Sequence, residues 1–166
     1  MKFRIENKIE APLQKVESSM FSEEYMKFLE KSHPGVKRIE LIEQKEENGK
    51  IRRTIKYTPK PIIERVGPKK VPESALVFTE HSTYDLNKHI LEFENIPAMN
   101  LVRERFRNTG TILFEEREGY TNRILEGELS VRFPILGSIA EKIIFTQAKK
   151  LLQQEIECFK QYVQSF

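Results

Sequence analysis

The chain of 166 residues predicts an α+β fold in which a seven-stranded antiparallel sheet curves around one long C-terminal helix. Three observations carry this prediction. Residues 138–166 read as a single amphipathic helix: at 100° per residue, Ala140, Ile144, Phe145, Ala148, Leu151, Leu152, Phe159, Tyr162, Val163 and Phe166 share one stripe, with Lys149, Gln153, Lys160 and Gln164 opposite. Most of the remaining chain alternates apolar and polar with the period of a strand, and Glu47-Asn48-Gly49, Asp85-Leu86-Asn87-Lys88 and Glu118-Gly119 fold those runs into three hairpins. Only Leu13 to Lys31 takes a helical period, which places two short helices after the first strand.

Each element has a local reason. Phe3, Ile5, Asn7 and Ile9 alternate with Lys2, Arg4, Glu6 and Lys8, a first strand with one wet face that Ala11-Pro12 ends. Leu13, Val16 and Met20, then Phe21, Tyr25, Phe28 and Leu29, give two helices broken near Ser22, whose hydroxyl is a natural cap for the second. His33-Pro34-Gly35 closes the pair. Six further strands are expected at 36–45, 50–58, 75–84, 89–96, 105–117 and 120–133, with an irregular link at 97–101. Between the second hairpin strand and the next, Pro59, Pro61, Pro68, Pro72 and Gly67 exclude a central strand, and Ile62 to Val66 reads as a helical turn or a short lid. Pro134 and Gly137 interrupt the chain before the last helix, and Ser138 with Glu141 forms an S-x-x-E capping box. At about 1.5 Å per residue that helix runs roughly 40 Å, longer than a small core. A strongly bent sheet does not close on so straight a rod, so a cavity is expected between them.

Composition narrows the classes. Residues 1–166 read as one domain, with 39% hydrophobic and 32% charged residues, ordinary for a globular protein. The net charge is +3, and the 28 bases are interleaved with 25 acids, so nucleic-acid binding is not expected; Arg103, Arg105 and Arg107 alternate with Glu104 and Phe106. A lone Cys158 forms no internal disulfide, and the charged Met1–Glu6 segment does not read as a signal peptide, which points to the cytoplasm. No apolar run has the length of a membrane span, so membrane contact is expected to be peripheral.

The order of elements resembles the Bet v 1-like, helix-grip superfamily that includes START lipid-transfer domains and polyketide-cyclase-like proteins. The resemblance rests on Arg105-Phe106-Arg107-Asn108-Thr109-Gly110-Thr111-Ile112, the hairpin at Glu118-Gly119, and Arg132-Phe133-Pro134-Ile135-Leu136-Gly137-Ser138-Ile139-Ala140-Glu141-Lys142 leading into the helix, which looks like an uncharacterised bacterial branch. A fainter similarity, at Thr79-Glu80-His81-Ser82, is to phospholipid-transfer proteins of the PRELI type. The resemblance implies a hydrophobic cavity and a lipid-like ligand, and brings no catalytic signature.

The residues add candidates of their own. Glu155 falls mid-stripe, one turn from Leu151 and Phe159, where a carboxylate is costly; it is either half of an ion pair or a polar anchor for a ligand. Arg53 shares the inward parity of Ile51, Ile55 and Tyr57, and is either Glu155's partner, a ligand anchor, or a side chain snorkelling to water. With Tyr57, Phe93, Asn108, Ile112, Leu129, Leu151 and Phe159 these form the expected ligand-binding set; Gly110 and Gly127 on the same faces either make room or mark bulges. Lys69 and Lys70, with Ile62 and Ile63, form a loop that is either solvated or a lid for anionic membrane. His33, His81 and His89 lack the spacing of a metal site, and no glycine-rich phosphate loop, dinucleotide fingerprint or serine-hydrolase elbow is present, so neither metal nor cofactor is expected. The leading expectation is a non-enzymatic binder or carrier of a hydrophobic molecule or lipid. The alternative is a cyclase- or dehydratase-like enzyme in which Glu155, His81, Tyr57 or Tyr84 moves protons, and a third is a sensor or interaction module.

Overall fold

A computed structural model of the chain describes residues 1–61, 64–66, 68–132 and 137–165, with the side chains of Val66 and residues 137–140 outside that description. The order is β1 (Lys2–Ile9), α1 (Leu13–Met20), α2 (Glu23–Ser32), β2 (Val36–Glu47), β3 (Lys50–Pro59), the two-residue strands β4 (Arg65–Val66) and β5 (Lys69–Lys70), a 3-10 turn at Glu73–Ala75, β6 (Phe78–Asp85), β7 (Ile90–Pro97), α3 (Asn100–Arg103), β8 (Phe106–Arg117), β9 (Tyr120–Val131) and α4 (Gly137–Gln164). Seven strands form one antiparallel sheet in the order β1-β9-β8-β7-β6-β3-β2. β4 and β5 pair only with each other, as the prolines around them require.

Local chemistry sets the boundaries. Ser22 Oγ accepts from Tyr25 N at 3.1 Å, and Glu23 and Glu24 sit on the positive end of α2. Asn48 and Gly49 take φ of 53° and 72°, the left-handed pair that a tight two-residue hairpin turn needs. The link expected to be irregular at 97–101 runs into the single turn α3, and the expected lid holds the β4–β5 ribbon instead of a helical turn. The helix starts at Gly137, one residue before the expected cap; the Ser138 side chain and the residues Ile62, Ile63, Phe133 and Phe166 lie outside the description.

The edges of the sheet differ. β1 pairs regularly with β9. β2 carries register shifts between Val36 and Arg38 and between Leu41 and Glu43, and at the second of these Ile42 is turned outward, 60% exposed.

The core gathers at one end of the concave face, where α1, α2 and the C-terminal half of α4 meet Ile9, Ile51, Tyr84, Leu91 and Phe114. Tyr25 meets Phe159 edge to face at 4.9 Å, and Tyr162 packs on Tyr25 and Phe28. Polar ties fix this end: Ser22 Oγ lies 3.0 Å from Tyr162 Oη, Tyr84 Oη donates to Glu17 Oε1 at 2.6 Å, and His89 Nδ1 stands 2.7 Å from the same carboxylate oxygen.

Candidate functional site

The floor of the concave face is a lattice of three rows, each crossing five neighbouring strands. Ile51, Tyr84, Leu91, Ile112 and Leu125 stand opposite one another and form an apolar row. Two residues along each strand, on the same face, comes Arg53, Ser82, Phe93, Gly110 and Gly127. Two further comes Ile55, Glu80, Asn95, Asn108 and Leu129, so the floor changes from oily to polar within two residue pairs.

Above the second and third rows the floor does not close on the helix. Tyr57, Glu80, Phe93, Asn95 and Asn108 below, and Ile144, Phe145, Ala148, Leu151, Leu152 and Glu155 above, all keep part of their surface although the sheet and α4 lie on either side. Inward-facing side chains that stay half-accessible mark a hollow. A gap of about 20 Å³ bounded by Phe3, Asn108, Leu129, Phe145, Ala148, Lys149 and Leu152 lies along one flank. Gly110 and Gly127 do not enlarge it, contrary to one expectation. A Cβ on Gly110 would stand 2.8 Å from Phe93 Cζ, and one on Gly127 would stand 2.6 Å from Phe3 Cζ, so two phenyl rings occupy the space the glycines leave.

Six titratable side chains act on one another in the interior beside this hollow: Tyr25 from α2, Arg53 and Tyr57 from β3, Glu80 from β6, Glu155 from α4, and Arg123 from β9, which stands opposite Phe114 on the core side of the apolar row. Burial, with Glu155 adding, drives the Tyr25 hydroxyl well above its ordinary range; burial and then Glu80 do the same to Tyr57. Both tyrosines therefore keep their protons and serve as donors. Burial also raises the Glu80 carboxyl, with Glu155 reinforcing and the Arg53 and Arg123 charges opposing. Arg123 is pushed down by burial, against the pull of Glu155, Tyr25 and Glu80.

Despite this mutual influence, none of Arg53, Arg123, Glu80 and Glu155 joins a salt bridge among the described residues. The expected Arg53–Glu155 pair is not formed. Arg53 is 9% exposed, donates from Nη1 to the Met20 carbonyl at 2.8 Å and lies over the Phe21 ring at 5.0 Å, because the end of α1 reaches it first. Arg123, 7% exposed, makes one long contact of 3.5 Å from Nη1 to Asn7 Oδ1. Among the described residues, Arg53 Nε, Asn95 Oδ1 and Asn108 Oδ1 are buried with no hydrogen-bond partner.

Of the residues singled out from sequence, Arg53, Tyr57, Phe93, Asn108 and Glu155 lie on the hollow, with Ile112 and Leu129 in its floor rows. Tyr57 stacks on Phe78 at 5.1 Å. Leu151 borders it, its carbonyl 3.1 Å from His33 Nε2 and its methyl against Gly35. Phe159 belongs instead to the sealed core on Tyr25. Two proton-moving candidates are misplaced. His81 is exposed on the outer face, 3.3 Å from Thr54 Oγ1, and Tyr84 is fully buried and spent on Glu17. Glu80, Asn95, Arg123 and Tyr25 were not anticipated, although Arg123 has the parity of Leu129, which was. Lys69 and Lys70 are exposed on β5.

An open recess of about 490 Å³ crosses the outer face between Arg52, Thr54, His81, Thr83, Glu92 and Glu94. Its exposed charges are of both signs and nothing shields it from water, so the concave side is the better candidate. Among the described residues, no three His, Cys, Asp or Glu side chains converge as metal ligands, and no helix is long and apolar enough to cross a membrane.

No family model and no curated protein matches the chain. Solved structures match in fold. A protein of Thermus thermophilus is 17% identical with a TM-score of 0.72, over 99% of this chain and 98% of that one. The Zhui aromatase/cyclase from Streptomyces sp. R1128 is 10% identical with a TM-score of 0.71, over 99% and 93%. Norcoclaurine synthase from Thalictrum flavum, in complex with dopamine and hydroxybenzaldehyde, is 16% identical with a TM-score of 0.65, over 99% and 87%. The fold is thus the Bet v 1-like, helix-grip fold.

Proposed function

We propose that the protein binds a hydrophobic small molecule or lipid carrying a polar head, in the hollow between the curved sheet and α4. One observation carries the reading: six titratable side chains from five elements influence one another in the interior between sheet and helix, and among the described residues none of the four charged ones joins a salt bridge. Buried charges left unpaired cost several kcal/mol each in an apolar setting, of order the whole stability margin of a domain, so well-packed apolar residues would make a more stable protein here. A guest with its own polar atoms offsets that cost. The fold neighbours support the reading, since one of them holds two small aromatic molecules. Native mass spectrometry of gently purified protein, followed by solvent extraction, tests it. A co-purified organic molecule is expected. A clean apo mass, together with no uptake of added amphiphiles, defeats the reading.

Glu80 favours an enzymatic second reading of the same hollow. A carboxyl raised by burial within electrostatic reach of the Tyr57 hydroxyl is suited to proton exchange, as a cyclase or dehydratase requires. Under that reading Glu80→Gln leaves binding intact and stops conversion of the extracted molecule; conversion at an undiminished rate removes Glu80 from any such role. Loading from an anionic bilayer is a further part of the proposal, carried by the exposed Arg65, Lys69 and Lys70 on the β4–β5 ribbon. Sedimentation with phosphatidylglycerol vesicles at low salt tests that part, and protein left in the supernatant refutes it.

A further inference from the structure

Arg123 is the charge that a merely oily hollow leaves unexplained. A guanidinium offers five N–H donors in a planar fork suited to a carboxylate, and it does not discharge at any ordinary pH. Here that fork sits in a side chain that is 7% exposed, and among the described residues its side-chain hydrogen bond is one contact at the 3.5 Å limit to Asn7 Oδ1. Glu155, Tyr25 and Glu80 all act on it, yet no carboxylate comes within 4.0 Å among the described residues.

We infer that Arg123 anchors an anionic head group, so that the hollow selects organic carboxylates over neutral molecules of the same shape. The inference rests on the ligand-binding reading above. The planar fork accepts both oxygens of a carboxylate, and the protonated Tyr25 hydroxyl is a further donor from α2. Arg53 is a second buried guanidinium whose charge, like that of Arg123, reaches Glu80. A cationic guest would instead meet two guanidiniums that have no means of losing their charge.

The test compares two fluorescent probes of equal shape, cis-parinaric acid and its methyl ester, titrated into the protein at neutral pH and low salt. The acid is expected to bind at least about tenfold more tightly than the ester, the difference one charge-assisted contact supplies. Arg123→Met is expected to abolish the preference, so that the acid and the ester bind alike. Arg123→Lys, which restores charge without the fork, recovers part of the preference and serves where the methionine variant fails to fold. Equal binding of acid and ester by the unmodified protein overturns the inference, as does a preference that survives Arg123→Met. Exclusion of both probes overturns the ligand-binding reading itself, whereas an ester that binds as well as the acid overturns only the role of Arg123.

Discussion

Along α4, Ile156, Cys158, Phe159, Tyr162 and Val163 are buried, whereas Ile144, Phe145, Ala148, Leu151 and Leu152 keep part of their surface open. The two halves carry the same apolar stripe and differ in what faces them. The C-terminal half meets two short helices and an aromatic cluster; the N-terminal half meets the sheet through Phe145, whose ring stands 6.1 Å from Phe3 edge to face, and otherwise keeps part of its apolar surface open. Packing against one end holds the helix in place. Because it is held there, the other end does not need to be packed, and a hollow survives.

The sharpest way to break this comparison is to delete one large apolar side chain from each half. Phe159→Ala removes a ring from the sealed end and is expected to cost about 3–5 kcal/mol, read from urea denaturation. Leu152→Ala, over the hollow, is expected to cost at most about 1–2 kcal/mol and to alter ligand affinity more than stability. Equal costs would mean that the halves are packed alike. The floor gives an intermediate effect. In Gly110→Ala the new methyl would stand 2.5 Å from the Glu126 carbonyl oxygen and 2.8 Å from Phe93 Cζ. An expected loss of about 1–3 kcal/mol accompanies a Phe93 ring pushed into the hollow, so probe binding falls with stability.

The smallest expected effect is on pH dependence. Glu80 has a folded pKa above its unfolded one, so the folded state holds the extra proton between the two values. Its contribution to stability is complete below the ordinary carboxylate range and is lost as pH rises through the raised value. Glu80→Gln should flatten that decline, so the variant gains on the parent as pH increases through the window. A variant whose profile falls in parallel with the parent's would show that Glu80 is not the group responsible.

How far the chain could be read in advance follows from where its patterns have one meaning. Asn48-Gly49 admits essentially one turn, Ser22 caps one helix, and the terminal stripe fits one period, so the element order and the curved sheet were legible. The polar floor was less so. β6 runs Phe78, Thr79, Glu80, His81, Ser82, Thr83, Tyr84, polar on both faces, and alternation alone does not say whether Glu80 or His81 points inward. The buried Tyr84 decides it, and that burial comes from α1 through Glu17, a contact 67 residues distant in sequence. Arg123 is a different case: two residues before Leu125, its inward parity was available, and a charge in an apolar pattern was the signal. Arg53 was placed correctly, but its partner was not, because the Met20 carbonyl at the end of α1 has no side-chain signature.

The free margin of the sheet has a consequence for self-association. β2 is twelve residues long, and an unpaired strand of that length is ordinarily an invitation for a neighbour's strand to add on. Its two slips of register break the ladder that an incoming strand would have to follow, and Lys37, Arg38, Glu40, Glu43, Lys45, Glu46 and Glu47 place a charge at most steps. Copies of this molecule that collide along that margin find no continuous run of backbone to zip against, so crowding alone does not stitch them into fibres.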